Sequence, residues 1–274
     1  MMRHTMTVGI EKCNVNKFKQ GQLQPLQEDT VAIEKPVALI YNGISHVVMM
    51  ATPKDLNYFA IGFSLTEKII ESVDEIYGIE IIDTKQGIEV HIELSSRRFM
   101  QLKEKRRNLT GRSGCGICGT EQIEQVCQFI PPLSLNDKIH LSDFEQSLNY
   151  LKKVQTVGSQ TGCTHAAVWL DLNGNFIVGF EDVGRHVALD KLLGYRATFL
   201  RKHNENLKGV ILISSRASYE MVQKTARCGV EILFAVSAAT SMAIEQAKQC
   251  QLTLVGFFRD TQGVIYSNKE RILK

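Results

Sequence analysis

The fold of this chain is decided by residues 210–258, which read VILISSRASYEMVQKTARCGVEILFAVSAATSMAIEQAKQCQLTLVGFF. Short apolar runs alternate here with helix-length segments whose apolar residues recur every three or four positions. The predicted elements are strand 210–214, helix 218–228, strand 232–236, helix 241–250 and strand 252–257. Strands that alternate with helices of about a dozen residues predict right-handed crossovers and a parallel sheet covered on both faces.

The segment before this stretch adds a hairpin and a helix. Asn173-Gly174 separates the apolar runs 165–172 and 176–180, which is a strong hairpin signal. Residues 184–200 are then predicted to be a helix, with Asp182 as its N-cap and with Asp190 and Lys191 as surface charges. There is no GxGxxG and no P-loop, so neither a dinucleotide fingerprint nor ATP hydrolysis is supported.

The first half of the chain is less regular. Residues 1–29 are polar and rich in glutamine, which predicts a weakly structured arm or an edge strand. Asn42-Gly43 predicts a hairpin, and Thr52 is the predicted N-cap of a helix over 55–70. Alternating apolar residues over 76–94 predict two strands. Pro131-Pro132 marks a boundary that divides the chain into an arm (1–29), an N-terminal α+β domain (30–130) and an α/β domain (131–274).

Composition excludes several classes of protein. The 274 residues are 44% hydrophobic and 22% charged, which is ordinary for a globular chain. A formal net charge of +3 is too small to argue for a nucleic-acid partner. No run approaches the roughly 20 apolar residues that span a bilayer. Seven cysteines, most within apolar segments, fit a reducing compartment better than a disulfide framework. We expect a cytoplasmic protein without nucleic-acid or membrane partners.

The strongest chemical motif is the run TGRSGCGICG at residues 110–119. Cys115 and Cys118, three residues apart, could form a disulfide, share a metal or relay a sulfur atom. Arg112 and the basic run 97–112 before it would favour the reactive thiolate, unless that run is only the solvated face of a helix. A zinc site needs two more ligands, and the chain has no second CxxC. Redox or sulfur chemistry and metal binding both stay open.

A second group of polar residues follows the predicted strands. Ser214, Arg216 and Arg259 come after strand ends, where open parallel sheets bind their ligands. His165 begins a strand between small residues, and Arg185 and His186 enter a helix in its first turn, where the helix dipole favours an anion. These residues predict a site for a phosphorylated ligand.

Several longer blocks resemble one known family. The chain resembles the FdhD/NarQ family, the formate dehydrogenase accessory sulfurtransferases, from about residue 30 to the C-terminus. The blocks that carry the resemblance are PVALIYNGI (36–44), GFSLTE (62–67), CGICG (115–119), EDVGRHVALDK (181–191) and EMVQK (220–224). Some positions depart from the family pattern: Cys163 and Ser215 stand where glycine is common, and Gln262 replaces a usual basic residue.

The resemblance implies a fold, a reaction and partners. The fold would be a cytidine-deaminase-like three-layer α/β core with a mixed or parallel sheet, plus a smaller N-terminal α+β domain, usually as a homodimer. A cysteine desulfurase would load a persulfide on Cys115, with Cys118 as its partner. The sulfur would pass to the molybdenum bis(molybdopterin guanine dinucleotide) cofactor and activate formate dehydrogenase. A guanine nucleotide would then mimic part of the bound cofactor.

The resemblance also implies where that cofactor lies. The family's cofactor segment corresponds to Phe257, Phe258, Arg259, Asp260, Thr261 and Gln262. Deaminase activity is not expected, because His165-Ala-Ala lacks the glutamate of a deaminase motif and the CxxC precedes it. Two other hypotheses remain: a dithiol–disulfide oxidoreductase that uses Cys115 and Cys118, and a non-catalytic chaperone that binds the molybdenum cofactor.

Overall fold

The computed structural model describes residues 9–110, 129–204, 206–259 and 262–273, with only the backbone of 105–110. The strands are β1 (Ile10–Lys19), β2 (Gln22–Ala32), β3 (Lys35–Tyr41), β4 (Ile44–Ala51), β5 (Ile76–Asp83), β6 (Ile88–Leu94), β7 (Ile139–His140), β8 (His165–Leu170), β9 (Phe176–Asp182), β10 (Val210–Ile213), β11 (Ile232–Ala235), β12 (Thr253–Arg259), β13 (Gln262–Ser267) and β14 (Ile272–Leu273). The α-helices are α1 (Leu56–Thr66), α2 (Ser96–Thr110), α3 (Ser147–Val154), α4 (Gly158–Thr161), α5 (Arg185–His203), α6 (Tyr219–Arg227) and α7 (Ser241–Gln249). No helix among the described residues is both long and apolar enough to cross a membrane.

The second half of the chain forms a six-stranded sheet in the order β13-β12-β11-β10-β8-β9. Strands β10, β11 and β12 are parallel, whereas β8, β9 and β13 pair in antiparallel fashion. One face packs on α5, α6 and α7 through a core around Trp169, and the other on a core around Phe144 and Phe234 that includes Leu151 of α3. The predicted three-layer α/β core with a mixed sheet is confirmed.

Complete burial explains why β10 and β11 read as continuous apolar runs. Every residue of Val210–Ile213 and of Ile232–Ala235 is buried, because helices or loops cover both faces of the sheet. The predicted Asn173-Gly174 turn lies between β8 and β9, and Gly174 has a φ of 77°. These local signals placed the sheet correctly.

The first half forms a smaller α+β unit. Its four-stranded sheet has the order β4-β3-β6-β5, and α1 packs on one face around Phe59 and Leu39. The predicted hairpin at Asn42-Gly43 and the two strands within 76–94 are confirmed. The division of the chain at residue 130 stays a prediction.

Helices α1 and α5 cross at two glycines. A Cβ at Gly62 would lie 1.8 Å from the Asp190 carbonyl oxygen, and one at Gly194 would lie 2.0 Å from the Tyr58 carbonyl oxygen. Only glycine permits this approach of the two backbones. We call this crossing, together with the buried ion pairs Lys191–Asp182 and Lys224–Asp190, the helix seam. The helix seam joins the two halves of the chain.

The structure corrects four local predictions. Residues 10–32 are not a weakly structured arm but the ribbon β1–β2, a separate two-stranded sheet, so of the two alternatives predicted for this segment the strand is correct. Helix α1 has Asp55, not Thr52, at its N-cap and ends at Thr66. Asp182 precedes the N-cap of α5, which is Gly184. Asp190 and Lys191 are not surface charges, since they are 1% and 0% exposed.

Candidate functional site

Most of the predicted site residues that the structure describes lie at one end of the six-stranded sheet. This strand-end edge contains the carboxyl ends of β9, β10, β11 and β12 and the start of β8. The reason is that β8 runs antiparallel to both of its neighbours, β9 and β10, so β9 points in the same direction as β10. Backbone hydrogen bonds join the loops: Ala217 N–H donates to Ala238 O, Thr240 N–H to Ala217 O and Phe257 N–H to Ser237 O, each at 3.0 Å. The edge is therefore one connected surface.

Ser214 and His165 meet where β10 lies beside β8. The Ser214 hydroxyl oxygen accepts a hydrogen bond from Ala166 N–H at 2.9 Å, and Ser214 N–H donates to Ala166 O at 3.0 Å. Ser214 thus fixes the start of β8, and with it the backbone next to His165. Burial, together with the positive charge of Arg185, lowers the pKa of His165 below its usual value. His165 is therefore a neutral hydrogen-bonding group near pH 7.

His186 faces a carboxylate. Its Nε2 lies 2.6 Å from Glu220 Oε2 in the first turn of α6. Burial lowers the pKa of His186, and Glu220 opposes that effect. The ring consequently links the starts of α5 and α6, and a ligand would have to compete with Glu220 for it.

The end of β12 is bulged, and this bulge separates two neighbouring phenylalanines. The pairing of β12 with β13 shifts between Gly256 and Arg259. Phe257 has a φ of 52° and is 48% exposed, so its ring lies at the edge. Phe258 is fully buried, with its ring 4.4 Å from that of Phe234. The assignment of Phe258 to cofactor binding is therefore wrong for its side chain, which supports the strand from the core.

Three arginines give the edge a positive charge. Arg216 and Arg259 are exposed and Arg185 is half-buried. Among the described residues, none of the three has a carboxylate within 4.0 Å. Gln262 is exposed beside them at the start of β13. Unpaired guanidinium groups on a connected backbone surface can bind an anion such as a phosphate.

Some predicted residues fall outside the part that the structure describes. Cys115 and Cys118, Arg112 with its glycines, and Asp260 and Thr261 all lie there. The start of the basic run lies within it, and two arginines are tied to carboxylates: Arg98 Nε lies 2.8 Å from Glu75, and Arg97 lies 3.2 Å from the same residue. That part of the run supports α2 and does not form a free cationic surface.

Sequence reasoning missed the buried charges behind the edge. Lys191 Nζ lies 2.6 Å from Asp182 Oδ2 and donates to Thr52 O at 3.1 Å, and both charged side chains are fully buried. Asp182 also accepts from Thr52 N–H at 3.0 Å and from Gly184 N–H at 2.8 Å. The pair fixes the chain where β9 turns into α5, directly before Arg185. The available signal was the position of Asp190 and Lys191 among Ala188, Leu189, Leu192 and Leu193, so that no polar face of the helix is separated from an apolar one.

A second buried cluster lies one residue along α5. Lys224 of α6 donates to Asp190 Oδ2 at 3.0 Å, to Glu67 at 3.0 Å and to the Thr66 hydroxyl at 2.9 Å. The Thr66 hydroxyl donates in turn to Asp190 at 2.9 Å. The neighbouring carboxylates raise the pKa of Lys224 although burial lowers it, so the lysine stays charged. This cluster connects the end of α1 to α5 and α6.

Comparison with known proteins gives two results. The model of the FdhD/NarQ family matches residues 32–273. Among solved structures, a protein from Desulfotalea psychrophila, described as a "putative formate dehydrogenase accessory protein", has a similar fold with a TM-score of 0.74. It is 25% identical in sequence, and the match covers 97% of this chain and 100% of that one.

Proposed function

Because the chain belongs to the FdhD/NarQ family, we propose that it is an accessory protein for formate dehydrogenase and that it carries sulfur to the molybdenum cofactor of that enzyme. The similar fold of the accessory protein from Desulfotalea psychrophila supports the role in formate dehydrogenase maturation. The CxxC motif supports the sulfur step. The partners would be a cysteine desulfurase, the formate dehydrogenase apoenzyme and a second copy of the chain, in the cytoplasm.

The observation that carries this proposal is the strand-end edge with its unpaired arginines. Neighbouring strands lie about 4.8 Å apart, so the three steps from β8 to β12 separate His165 from Phe257 by roughly 14 Å. A cationic surface of that length suits an extended anion with several phosphates. The bis(molybdopterin guanine dinucleotide) cofactor is such a molecule, and the exposed ring of Phe257 offers a surface for a guanine base.

The sulfur would be loaded by attack of a thiolate. In the proposed step the Cys115 thiolate attacks the terminal sulfur of the desulfurase persulfide. A new S–S bond forms at Cys115, the S–S bond of the donor breaks, and the donor cysteine leaves as a thiolate. Release as sulfide follows when the Cys118 thiolate attacks the inner sulfur. This leaves a Cys115–Cys118 disulfide, which a small-molecule thiol must then reduce.

Guanosine diphosphate tests the cofactor site. Each arginine that contacts a phosphate contributes about 1.5–3 kcal/mol, so Arg216→Ala or Arg259→Ala should weaken binding tenfold or more in calorimetry. Arg97→Ala is the matched control, because this exposed arginine pairs with Glu75 away from the edge. Unchanged affinity in both edge variants would remove the cofactor from this edge.

Incubation with a desulfurase and cysteine tests the sulfur step. Cyanide should release thiocyanate from the wild type and from Cys163→Ala, the control at an exposed free cysteine. Cys115→Ala should release none and should fail to activate formate dehydrogenase, while Cys118→Ala should still load sulfur. Activation without any thiocyanate in the wild type would favour the cofactor-binding chaperone. A Cys115–Cys118 disulfide that oxidises external dithiols, and is itself reduced to the dithiol, without any sulfur transfer would favour the oxidoreductase.

A further inference from the structure

A cavity lies away from the strand-end edge, between the helix seam and the segment that follows residue 129. Its volume is about 620 Å³, which is within the usual size of small-molecule sites. The walls come from the second half of α5, the end of α6, the chain after α1, and Ile130 to Leu133. Arg196 of α5 lies eleven residues beyond Arg185, or about 16 Å along the helix, so this cavity is separate from the edge.

The cavity carries an excess of positive charge. Four cations line it, Lys68, Arg196, Arg201 and Arg227, against the single lining carboxylate of Glu71, and one of the four, Arg201, pairs with Asp74. The Glu71 carboxylate is already engaged, since Arg98 lies 2.7 Å from it. A space with this balance favours an anion.

Arg196 is the most informative of these cations. It is only 6% exposed, and its guanidinium lies 5.4 Å from the centre of the Trp169 ring and donates to Cys228 O at 2.9 Å. In the described part of the chain no carboxylate lies within 4.0 Å of it, and its Nε has no hydrogen-bond partner. Asp137 attracts it only from a longer range. A buried charge without a counter-ion is costly, and an anion in the adjoining cavity would remove that cost.

The rest of the wall defines the ligand. Ile70, Ile130, Leu133, Leu193 and Leu200 give the cavity a largely apolar lining. We propose that this cavity binds a small phosphate monoester with an apolar body, its phosphate facing the guanidinium of Arg196 and the neighbouring cations. The inference goes beyond the proposed function and does not depend on it.

The test compares matched ligands by calorimetry on the full chain. Phenyl phosphate should bind at least tenfold more tightly than phenol, the neutral alcohol component of this ester, and more tightly than benzoate or inorganic phosphate. Arg196→Met and the surface variant Lys68→Gln should each weaken phenyl phosphate binding tenfold or more. Lys202→Gln is the matched control, because Lys202 is exposed on α5 but does not line the cavity. Equal binding of the ester and the alcohol would overturn the proposal.

A cavity-filling variant separates this site from the edge. Ala197→Trp places a large ring in the cavity and should abolish phenyl phosphate binding while leaving guanosine diphosphate binding unchanged. If Ala197→Trp and Lys68→Gln both bound phenyl phosphate as the wild type does, the cavity assignment would be wrong. If Ala197→Trp abolished guanosine diphosphate binding and Arg216→Ala spared it, the edge assignment would fail and the cavity would stand as the phosphate site.

Discussion

At the scale of single residues, the neighbours Phe257 and Phe258 have different roles: the first has a strained backbone and an exposed ring, and the second packs in the core. A phenylalanine with φ of 52° occupies a region that few side chains adopt, and such strain concentrates at functional sites. Phe258, one residue later, lies fully in the core and packs on Phe234. The bulge of β12 therefore holds one ring out at the cost of local strain, and it does so on a firmly packed base.

We expect opposite results from the two positions. Phe257→Gly should change the free energy of unfolding by less than about 1 kcal/mol, because relief of strain offsets the extra freedom of glycine. It should weaken guanosine diphosphate binding about fivefold or more through loss of a stacking surface. Phe258→Ala should lower the free energy of unfolding by about 3–5 kcal/mol. Urea unfolding and calorimetry measure both, and strong destabilisation by Phe257→Gly would contradict this assignment.

At the scale of elements, the crossing of α1 and α5 depends on the absence of two side chains. A methyl group at Gly62 would meet the Asp190 carbonyl, which is backbone and cannot rotate away. The helices would have to separate, and that would also displace the carboxylate that binds Lys224.

Gly62→Ala should therefore destabilise the protein by about 3 kcal/mol, at or beyond the upper end for overpacked cores. Gly78→Ala is the control, because a Cβ there would meet only the end of the Glu93 side chain at 3.6 Å. Urea denaturation of the two variants gives the comparison. If the Gly62→Ala variant were as stable as the Gly78→Ala variant, helices α1 and α5 could move apart without loss of stability, and the prediction would be wrong.

At the scale of the whole molecule, charge burial joins the two halves. Thr52, Thr66 and Glu67 of the first half bind Lys191 and Lys224 of the second. Burial raises the pKa of Asp182, and the charge of Lys191 opposes this. Removal of one partner leaves an uncompensated charge in the interior.

Lys191→Met should lower the free energy of unfolding by about 3–5 kcal/mol near pH 7. Without the lysine, Asp182 takes up a proton more readily in the folded state than in the unfolded chain, where its pKa is about 3.9. The variant should thus be most stable below about pH 4 relative to the wild type and should lose stability as the pH rises. Unfolding curves across that range test this, with Lys202→Met as control. A pH-independent difference would mean that Asp182 stays charged.

The sequence correctly predicted the structural features that depend on residues close together in the chain. The turns at Asn42-Gly43 and Asn173-Gly174 and the buried strands β10 and β11 were correct, because their signals are local. The roles of Asp190 and Lys191 were not, because some of the residues that bury and bind them are far away in the sequence: Thr66 is 124 positions from Asp190, and Thr52 is 139 positions from Lys191. The approach of Ser214, His165 and Arg185 to one another could be predicted in outline, because all three follow or begin strands. The burial of the Phe258 side chain could not be predicted, because it depends on a bulge in β12 for which the sequence has no recognisable pattern.

The helix seam also determines whether fragments of this protein can fold on their own. A fragment of residues 131–274 would expose the glycine face of α5 and leave Lys191 and Lys224 without Thr52, Thr66 and Glu67. Such a fragment should be insoluble or misfolded when made alone, and the missing half supplied as a separate polypeptide should rescue it. We therefore expect each half to need the other in order to fold, so that a split version of the protein would report the association of its halves by regaining solubility.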